Sequence, residues 1–214
     1  MLDKQGKNAE QLKEKTLYLL DMDGTIYNED LIFDGTLDFL EELKRRGAQY
    51  VFITNNSSRS VEDYVKKVRA MGIDAGYENF YTSSQATAAY IKEHYPGKKV
   101  YCMGTRSLVK ELEEAGISTV TRADDSAQVV LIGFDTENTS EKIRDTCIML
   151  GKDLPYLATN PDLVCPVSFG YIPDCGSMSI MLKNATGKEP FFVGKPEPVM
   201  VNCVLKKLNK KQEE

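Results

Sequence analysis

Two aspartates end a run of apolar residues near the start of the chain, and this arrangement constrains the fold more than any other feature. Residues 17–20 are Leu, Tyr, Leu and Leu, and Asp21, Met22, Asp23 and Gly24 follow. Successive side chains alternate across a strand, so carboxylates two residues apart can lean to one side. In an open α/β sheet, ligands bind beyond the carboxyl ends of the strands. The sequence therefore predicts a buried strand that ends in a binding edge, although Asp and Gly also form ordinary turns.

Strand-like and helix-like segments alternate along the rest of the chain, which is the pattern of parallel α/β packing. Apolar runs predict further strands at residues 50–54, 80–81, 99–103, 129–133, 156–158 and 191–192. Helical periodicity and end signals predict helices at residues 36–46, 60–72, 107–115, 140–150 and 199–208. The predicted fold class is therefore α/β, with parallel sheets.

The composition argues against several classes of protein. The formal net charge of the 214 residues is −5, so no general basic surface for nucleic acid is expected. Residues 1–15 are charged and lack an apolar core, which argues against a signal peptide or a membrane anchor. Five scattered cysteines without a C-x-x-C pair favour free thiols in a reducing cytoplasm over a zinc site or disulfides. The single histidine, His94, reads as part of a helix end rather than as a catalytic residue.

Two further polar sites follow predicted strands. Thr54, Asn55 and Asn56 precede a helix, whose free N–H groups and dipole attract anions. Lys195 lies in a Gly-Lys-Pro turn after the strand at 191–192. Each site alone is ordinary, since polar residues commonly begin helices and lysines in turns are usually solvated. Together with the aspartate pair, they supply the nucleophile, the phosphate cradle and the cation that phosphoryl transfer needs.

The same segments resemble the motifs of the haloacid dehalogenase-like hydrolases. The first three motifs of that family are matched at residues 21–25, 53–56 and 194–196. Signatures of its 4-nitrophenyl phosphatase branch, which includes NagD-like and phosphoglycolate phosphatases, are matched at residues 158–162, 170–177 and 185–187. The resemblance implies a Rossmann-like parallel-sheet core with an inserted α/β cap domain. It divides the chain into core, cap and core again, at residues 1–86, 87–177 and 178–214.

The resemblance also implies chemical roles. Asp21 would attack phosphorus and become an aspartyl phosphate, while Asp23 would protonate the leaving oxygen and then activate water. Lys195 would steady Asp21 and the charge of the phosphoryl group. Mg²⁺ would bind Asp21 and the main-chain carbonyl of Asp23, offsetting the repulsion between carboxylate and phosphate.

Other residues would bind the substrate. The phosphate-binding set implied by the resemblance consists of Gly24, Thr54, Asn55 and Asn56. Asn160 and Asp162 follow a strand of the cap, and we expect them near the mouth of the core. There they would contact the part of the substrate that lies beyond the phosphate. An ordinary Asn-Pro-Asp turn explains these two residues equally well.

One departure from the family pattern affects the metal site. The fourth motif, an acidic strand end that supplies a further metal ligand, should follow the helix after Lys195, and no such motif precedes Glu214. The core would then be C-terminally incomplete, either because the sequence is a fragment or because the protein is a degraded member with weak metal binding. The missing strand would lie beside the strand that carries Asp21 and would leave it with an unpaired edge.

These roles imply Mg²⁺-dependent hydrolysis of small phosphate monoesters of the sugar phosphate, nucleotide or phosphoglycolate type. The alternative is a weak or inactive relic that keeps a phosphate-binding pocket. A receiver-like signalling domain also uses a strand-end Asp, a Thr and a Lys, but the large insertion and the D-x-D pair argue against it. The expected partner is a small phosphorylated metabolite, with neither nucleic acid nor membrane. A homodimer formed through the cap is a further expectation.

Overall fold

Two separate parallel sheets organise the chain, one with three strands and one with five. The structure is a computed structural model, and it describes Gly6 and residues 8–212. The strands in this part are β1 Leu17–Asp21, β2 Tyr27–Asn28, β3 Leu31–Ile32, β4 Gln49–Thr54, β5 Phe80–Thr82, β6 Val100–Met103, β7 Thr119–Val120, β8 Val129–Ile132, β9 Tyr156–Ala158, β10 Val164–Val167, β11 Gly170–Pro173 and β12 Phe191–Phe192. The α-helices are α1 Thr36–Arg45, α2 Val61–Ala70, α3 Ser83–His94, α4 Arg106–Glu114, α5 Ser140–Leu150, α6 Cys175–Thr186 and α7 Val199–Leu208.

The three-stranded sheet has the order β1-β4-β5 and is covered on both faces. Alternate residues of β4 explain this, because Phe52 packs with α1 and α2 whereas Ile53 packs with α3 and α7. Within the described part of the chain, β1 has a neighbour on one side only, which agrees with the unpaired edge expected there. The carboxyl end of β1 carries Asp21, and that of β4 carries Thr54.

The five-stranded sheet has the order β12-β9-β8-β6-β7, with every neighbouring pair parallel. Val130 and Ile132 of β8 pack against one apolar cluster, and Val129 and Leu131 pack against another. Helix α3 lies between the two sheets, since Ala86 belongs to the cluster under β4 and Ile91 to a cluster under β8. The antiparallel hairpins β2–β3 and β10–β11 stand outside both sheets.

The α/β fold class with parallel sheets is confirmed, whereas the division at residues 86/87 and 177/178 stays a prediction. Both of these positions fall inside helices, within α3 and α6. The strand before Lys195, assigned to the second part of the core, instead pairs with β9 in the five-stranded sheet. The sequence did not reveal this because a two-residue strand carries no signal of its partner. Division into a core and a cap stays a prediction, with the two sheets as its natural units.

Two further observations concern membrane-spanning helices and cysteines. Among the residues that the structure describes, no helix combines the length and apolar character needed to cross a membrane. The five cysteines are free thiols, and Cys102 and Cys175 are buried.

Candidate active site

The carboxyl end of β1 brings Asp21 to Lys195, although 174 residues separate them in the chain. The Lys195 ammonium donates to Asp21 Oδ1 at 2.7 Å and to the Ile53 carbonyl at 3.4 Å. The same Asp21 oxygen accepts a hydrogen bond of 2.9 Å from the backbone N–H of Met22. The Asp21 side chain is 52% exposed, so the carboxylate is fixed by two donors and still accessible to a ligand.

Asn55 holds Lys195 in place through its side-chain amide. Its Oδ1 accepts from the Lys195 backbone N–H at 2.8 Å, and its Nδ2 donates to the Lys195 carbonyl at 2.9 Å. Nδ2 also donates to Asp162 Oδ2 at 2.9 Å. The sequence predicted a phosphate contact for Asn55 and did not predict this link. The amide joins the end of β4 both to the lysine turn and to the segment after β9.

Thr54, Asn56 and Gly24 shape the loops around Asp21. The buried Thr54 Oγ1 accepts from the Asn56 N–H at 3.1 Å, and Asn56 Oδ1 accepts from the Ser58 N–H at 2.9 Å. Gly24 has φ +79°, a conformation that side chains disfavour, and its N–H donates to the Tyr27 carbonyl at 2.8 Å. The polar side chains of the predicted phosphate cradle therefore also close its turns. Their contact with phosphate remains a prediction.

Asp23 lies beside this cluster with a different electrostatic environment. Asp23 is exposed overall, and its carboxyl group is close enough to Tyr27 and Tyr64 to affect both of them electrostatically. Loss of hydration there raises the pKa of Asp23, the nearby Lys67 ammonium opposes the rise, and the Asp21 carboxylate adds to it. A carboxyl group that keeps its proton to higher pH is suited to act as a general acid.

Residues after β9 complete a cavity of about 140 Å³ over Asp21. Its lining includes Asp21, Asp23, Thr54, Asn55, Asn56, Asp162, Asp174 and Lys195. Asp162 is half-buried and faces this cavity, next to Asn55. Asn160 is completely buried, and its Nδ2 donates to Asp174 Oδ1 at 3.2 Å and to Asp162 Oδ2 at 3.4 Å. The amide of Asn160 is thus enclosed and bonded to two carboxylates, and its contact with the substrate stays a prediction.

Asp174 is a site residue that the sequence analysis missed. It caps the N-terminus of α6, where it accepts from the Cys175 N–H, and it lines the cavity over Asp21. Burial raises the pKa of Asp174 to about 6, against the opposing hydrogen bonds from Cys175 and Asn160. The position was detectable, since aspartate is a favoured residue at helix N-termini. His94, by contrast, ends α3 with its ring 4.1 Å from that of Tyr90, away from the cavity.

The residues present fit Mg²⁺ in the way that the resemblance implies. Carboxylate and carbonyl oxygens of Asp21 and Asp23 are the hard ligands that this ion prefers. In Gly6 and residues 8–212, no group of three or more His, Cys, Asp or Glu side chains is arranged to hold a metal ion. Mg²⁺ commonly uses one or two carboxylates and completes its shell with water and substrate phosphate oxygens. The protein would therefore supply part of the ligand set.

Comparisons with known proteins agree with this geometry. A family model described as haloacid dehalogenase-like hydrolase matches residues 18–118. An acid sugar phosphatase of Staphylococcus aureus is 36% identical over 190 residues, which cover 89% of this chain and 73% of that protein. The crystal structure of a 4-nitrophenylphosphatase from Thermotoga maritima has a TM-score of 0.90 at 36% identity, covering 95% of this chain and 77% of that one. A glycerol phosphate phosphatase from Mycobacterium tuberculosis, in complex with magnesium, has a TM-score of 0.86 at 27% identity, covering 92% and 59%.

The parallel sheets, with aspartates at and just after the end of β1, define an α/β protein with a site at the carboxyl ends of its strands. The chain belongs to the haloacid dehalogenase-like hydrolase family, in the branch of NagD-like and 4-nitrophenyl phosphatases. The resemblance inferred from the motifs is thus confirmed, and with it the assignment as a phosphatase-type hydrolase.

Proposed function

We propose that this protein hydrolyses small phosphate monoesters by way of an aspartyl phosphate on Asp21. The observation that supports the proposal most is the 2.7 Å contact between Lys195 and Asp21, with Asn55 holding the lysine backbone. The names of the relatives indicate sugar phosphate, glycerol phosphate and aryl phosphate as substrate types. A small phosphorylated metabolite is therefore the proposed substrate.

The proposed reaction has two displacements at phosphorus. In the first, an Asp21 oxygen forms a bond to phosphorus as the bond to the leaving oxygen breaks, and Asp23 gives that oxygen its proton. In the second, Asp23 takes a proton from water as the water oxygen attacks phosphorus and releases Asp21. Lys195 offsets negative charge on the phosphoryl group in both steps. Mg²⁺ held by Asp21 and the Asp23 carbonyl would reduce the repulsion between carboxylate and phosphate.

A second candidate function is phosphate binding with little or no turnover. One observation favours it: the described residues contain no cluster of three metal-binding side chains, so metal affinity would depend on few protein ligands. In that case the pocket would bind phosphate esters while the aspartyl phosphate formed slowly or not at all. Turnover separates the two candidates directly.

The test is hydrolysis of 4-nitrophenyl phosphate with Mg²⁺ by the wild type and three variants. Asp21→Asn should lower kcat by about 10³-fold or more, because an amide cannot replace the attacking carboxylate. Asp23→Asn should act most severely on esters with poor leaving groups, such as sugar phosphates, which need protonation. Asp38→Asn, on the exposed surface of α1, is the control and should behave as wild type. Retention of most activity in Asp21→Asn would refute the proposed nucleophile.

We also propose a cytoplasmic location and a homodimer. The free thiols support a reducing, cytoplasmic environment. The exposed apolar side chains of Phe169 and Tyr171, in the β10–β11 hairpin, support a homodimer formed through the cap. Sedimentation of the purified protein would test the dimer.

A further inference from the structure

A second and larger cavity, of about 670 Å³, is also lined by Asp23 but not by Lys195. Its walls come from helix α2 and the loop before it, from the β2–β3 hairpin and from the β10–β11 hairpin. Because Asp23 is the proposed acid for the leaving oxygen, the rest of the leaving group would extend into this space. The chemistry of these walls therefore bears on which alcohol the protein accepts.

Two cations of the α2 wall, the exposed Arg59 and the half-buried Lys67, line this cavity. Among the described residues, neither side chain donates a hydrogen bond or has a carboxylate within ion-pairing distance. The neighbouring Lys66 shows the contrast, because its ammonium pairs with Glu62 at 2.7 Å and faces solvent. An ammonium group removed from water without a partner is unfavourable unless a ligand supplies the opposite charge.

Lys67 is held facing the cavity rather than free to turn into solvent. Its Nζ lies 4.1 Å from the centroid of the Tyr27 ring, a cation–π distance. The side chain is half-buried, and loss of hydration lowers its pKa, an effect that the Asp23 carboxylate partly reverses and Arg59 adds to. Lys67 and Arg59 thus line the same cavity and influence each other electrostatically.

Glu29 and Asp30 belong to the same cavity, on the β2–β3 hairpin. Their carboxylates favour the charged form of Lys67 through space but do not approach it closely enough to pair with it. The positive charge on the α2 wall is thus favoured by nearby carboxylates, but no described carboxylate forms an ion pair with it. A ligand anion could occupy this position.

We propose that Lys67, with Arg59 beside it, binds a second anionic group of the substrate. The protein would then prefer phosphate esters whose alcohol part carries a carboxylate or a second phosphate over esters of neutral alcohols. This inference rests on the proposed function, since it assigns the second cavity to the leaving group. It adds two residues of α2 and its preceding loop to the specificity determinants predicted after β9.

The test compares two ligands that differ in one group. Glycerate 3-phosphate and glycerol 3-phosphate share the phosphate and the carbon chain, and only the first has a carboxylate. Their dissociation constants are measured by calorimetry with Mg²⁺ on Asp21→Asn protein, so that the result does not depend on turnover. We expect the carboxylate to strengthen binding by roughly tenfold, the scale of one partly desolvated ion pair. Fructose 1,6-bisphosphate against fructose 6-phosphate makes the same comparison for a second phosphate.

Further substitutions show which residue causes any preference for the ligand with the second anionic group. Lys67→Met in the Asp21→Asn background keeps the apolar stem and should reduce the preference to about twofold or less. Lys67→Arg should restore most of it, and Lys66→Met is the matched control and should leave it intact. Equal affinity for the paired ligands, no binding of either, or equal weakening of both by Lys67→Met would overturn the inference. Failure of the proposed function has a separate sign, the absence of 4-nitrophenyl phosphate hydrolysis by the wild type.

Discussion

At the scale of the residue, the carboxyl group of Asp174 shows how burial changes the pKa of a side chain. Burial raises its pKa from 3.8 to about 6, so the folded protein holds a proton that the unfolded chain releases. Between these two values the native state binds more protons than the unfolded state. Stability therefore falls as the pH rises through this window, and the loss is complete above it.

Asp174→Asn should remove this dependence. The new amide oxygen can still accept from Asn160 and from the Cys175 N–H, while the titrating proton is gone. We expect the variant to gain stability relative to wild type at pH 7, by at most about 3 kcal/mol, since one pKa unit corresponds to about 1.4 kcal/mol. Urea unfolding at several values of pH measures the effect, with Asp38→Asn as control. Identical pH slopes in wild type and Asp174→Asn would contradict the account.

At the scale of the element, the turn between β12 and α7 packs tightly against the segments that follow β4 and β9. A Cβ atom on Gly194 would lie 2.5 Å from the Thr159 carbonyl oxygen and 2.6 Å from Asn55 Oδ1. Real Cβ atoms do not approach oxygen so closely, so either the turn or the Asn55 amide must move. Glycine at 194 therefore allows Asn55 to reach the Lys195 backbone.

Gly194→Ala should destabilise the protein by about 1–3 kcal/mol, the usual cost of an overpacked site. It should also lower kcat, because displacement of Asn55 releases Lys195 from Asp21. Gly151→Ala is the matched control, since its Cβ would meet its nearest atom at 3.4 Å in an ordinary helical backbone. Denaturant unfolding and hydrolysis of 4-nitrophenyl phosphate measure the two effects. Wild-type activity in a stable Gly194→Ala protein would show that the Asn55 link does not position the lysine.

The same scale shows what sequence patterns can and cannot predict. Helix α2 and the helix after Lys195 were predicted well, because helix end signals and an apolar stripe are local. Only the end of helix α3, at His94, was predicted, because the helix lies between two sheets and buries small or polar residues, among them Ser83, Ser84 and Thr87. Helix α6 was missed for a related reason, since its buried positions include Gly176 and Ser179, while Ile180 and Met181 are exposed.

Contacts within the site also differ in whether local sequence patterns could predict them. The strand ends that carry Asp21 and Thr54 were predictable, because neighbouring parallel strands place their carboxyl ends along one edge of a sheet. This rule does not explain why Lys195 meets them, because it follows β12 of the other sheet. The hydrogen bonds of the Asn55 amide were not predictable, since its partners Asp162 and Lys195 lie 107 and 140 residues away in the chain. No local pattern distinguishes an amide that binds phosphate from one that binds backbone.

At the scale of the whole molecule, Asp162 connects the two sheets of the fold through Asn55. If Asp162 also contacts the substrate, Asp162→Ala should change the ranking of natural phosphate esters more than the rate with 4-nitrophenyl phosphate. Loss of the Asn55 contact alone would instead lower all rates together through Lys195. Asp162→Asn separates the two effects, because its amide oxygen can keep the hydrogen bond while its charge is lost. Equal losses for every substrate in both variants would exclude a role in specificity.

The central claim is that phosphoryl transfer passes through Asp21, and trapping the intermediate tests it most directly. The wild-type protein is mixed with a labelled phosphate ester and Mg²⁺, quenched in acid within one turnover, and digested for mass spectrometry. We predict one phosphoryl group on the peptide that contains Asp21, absent from Asp21→Asn and lost on treatment with hydroxylamine. Turnover without label on that peptide, or label on another residue, would contradict the account.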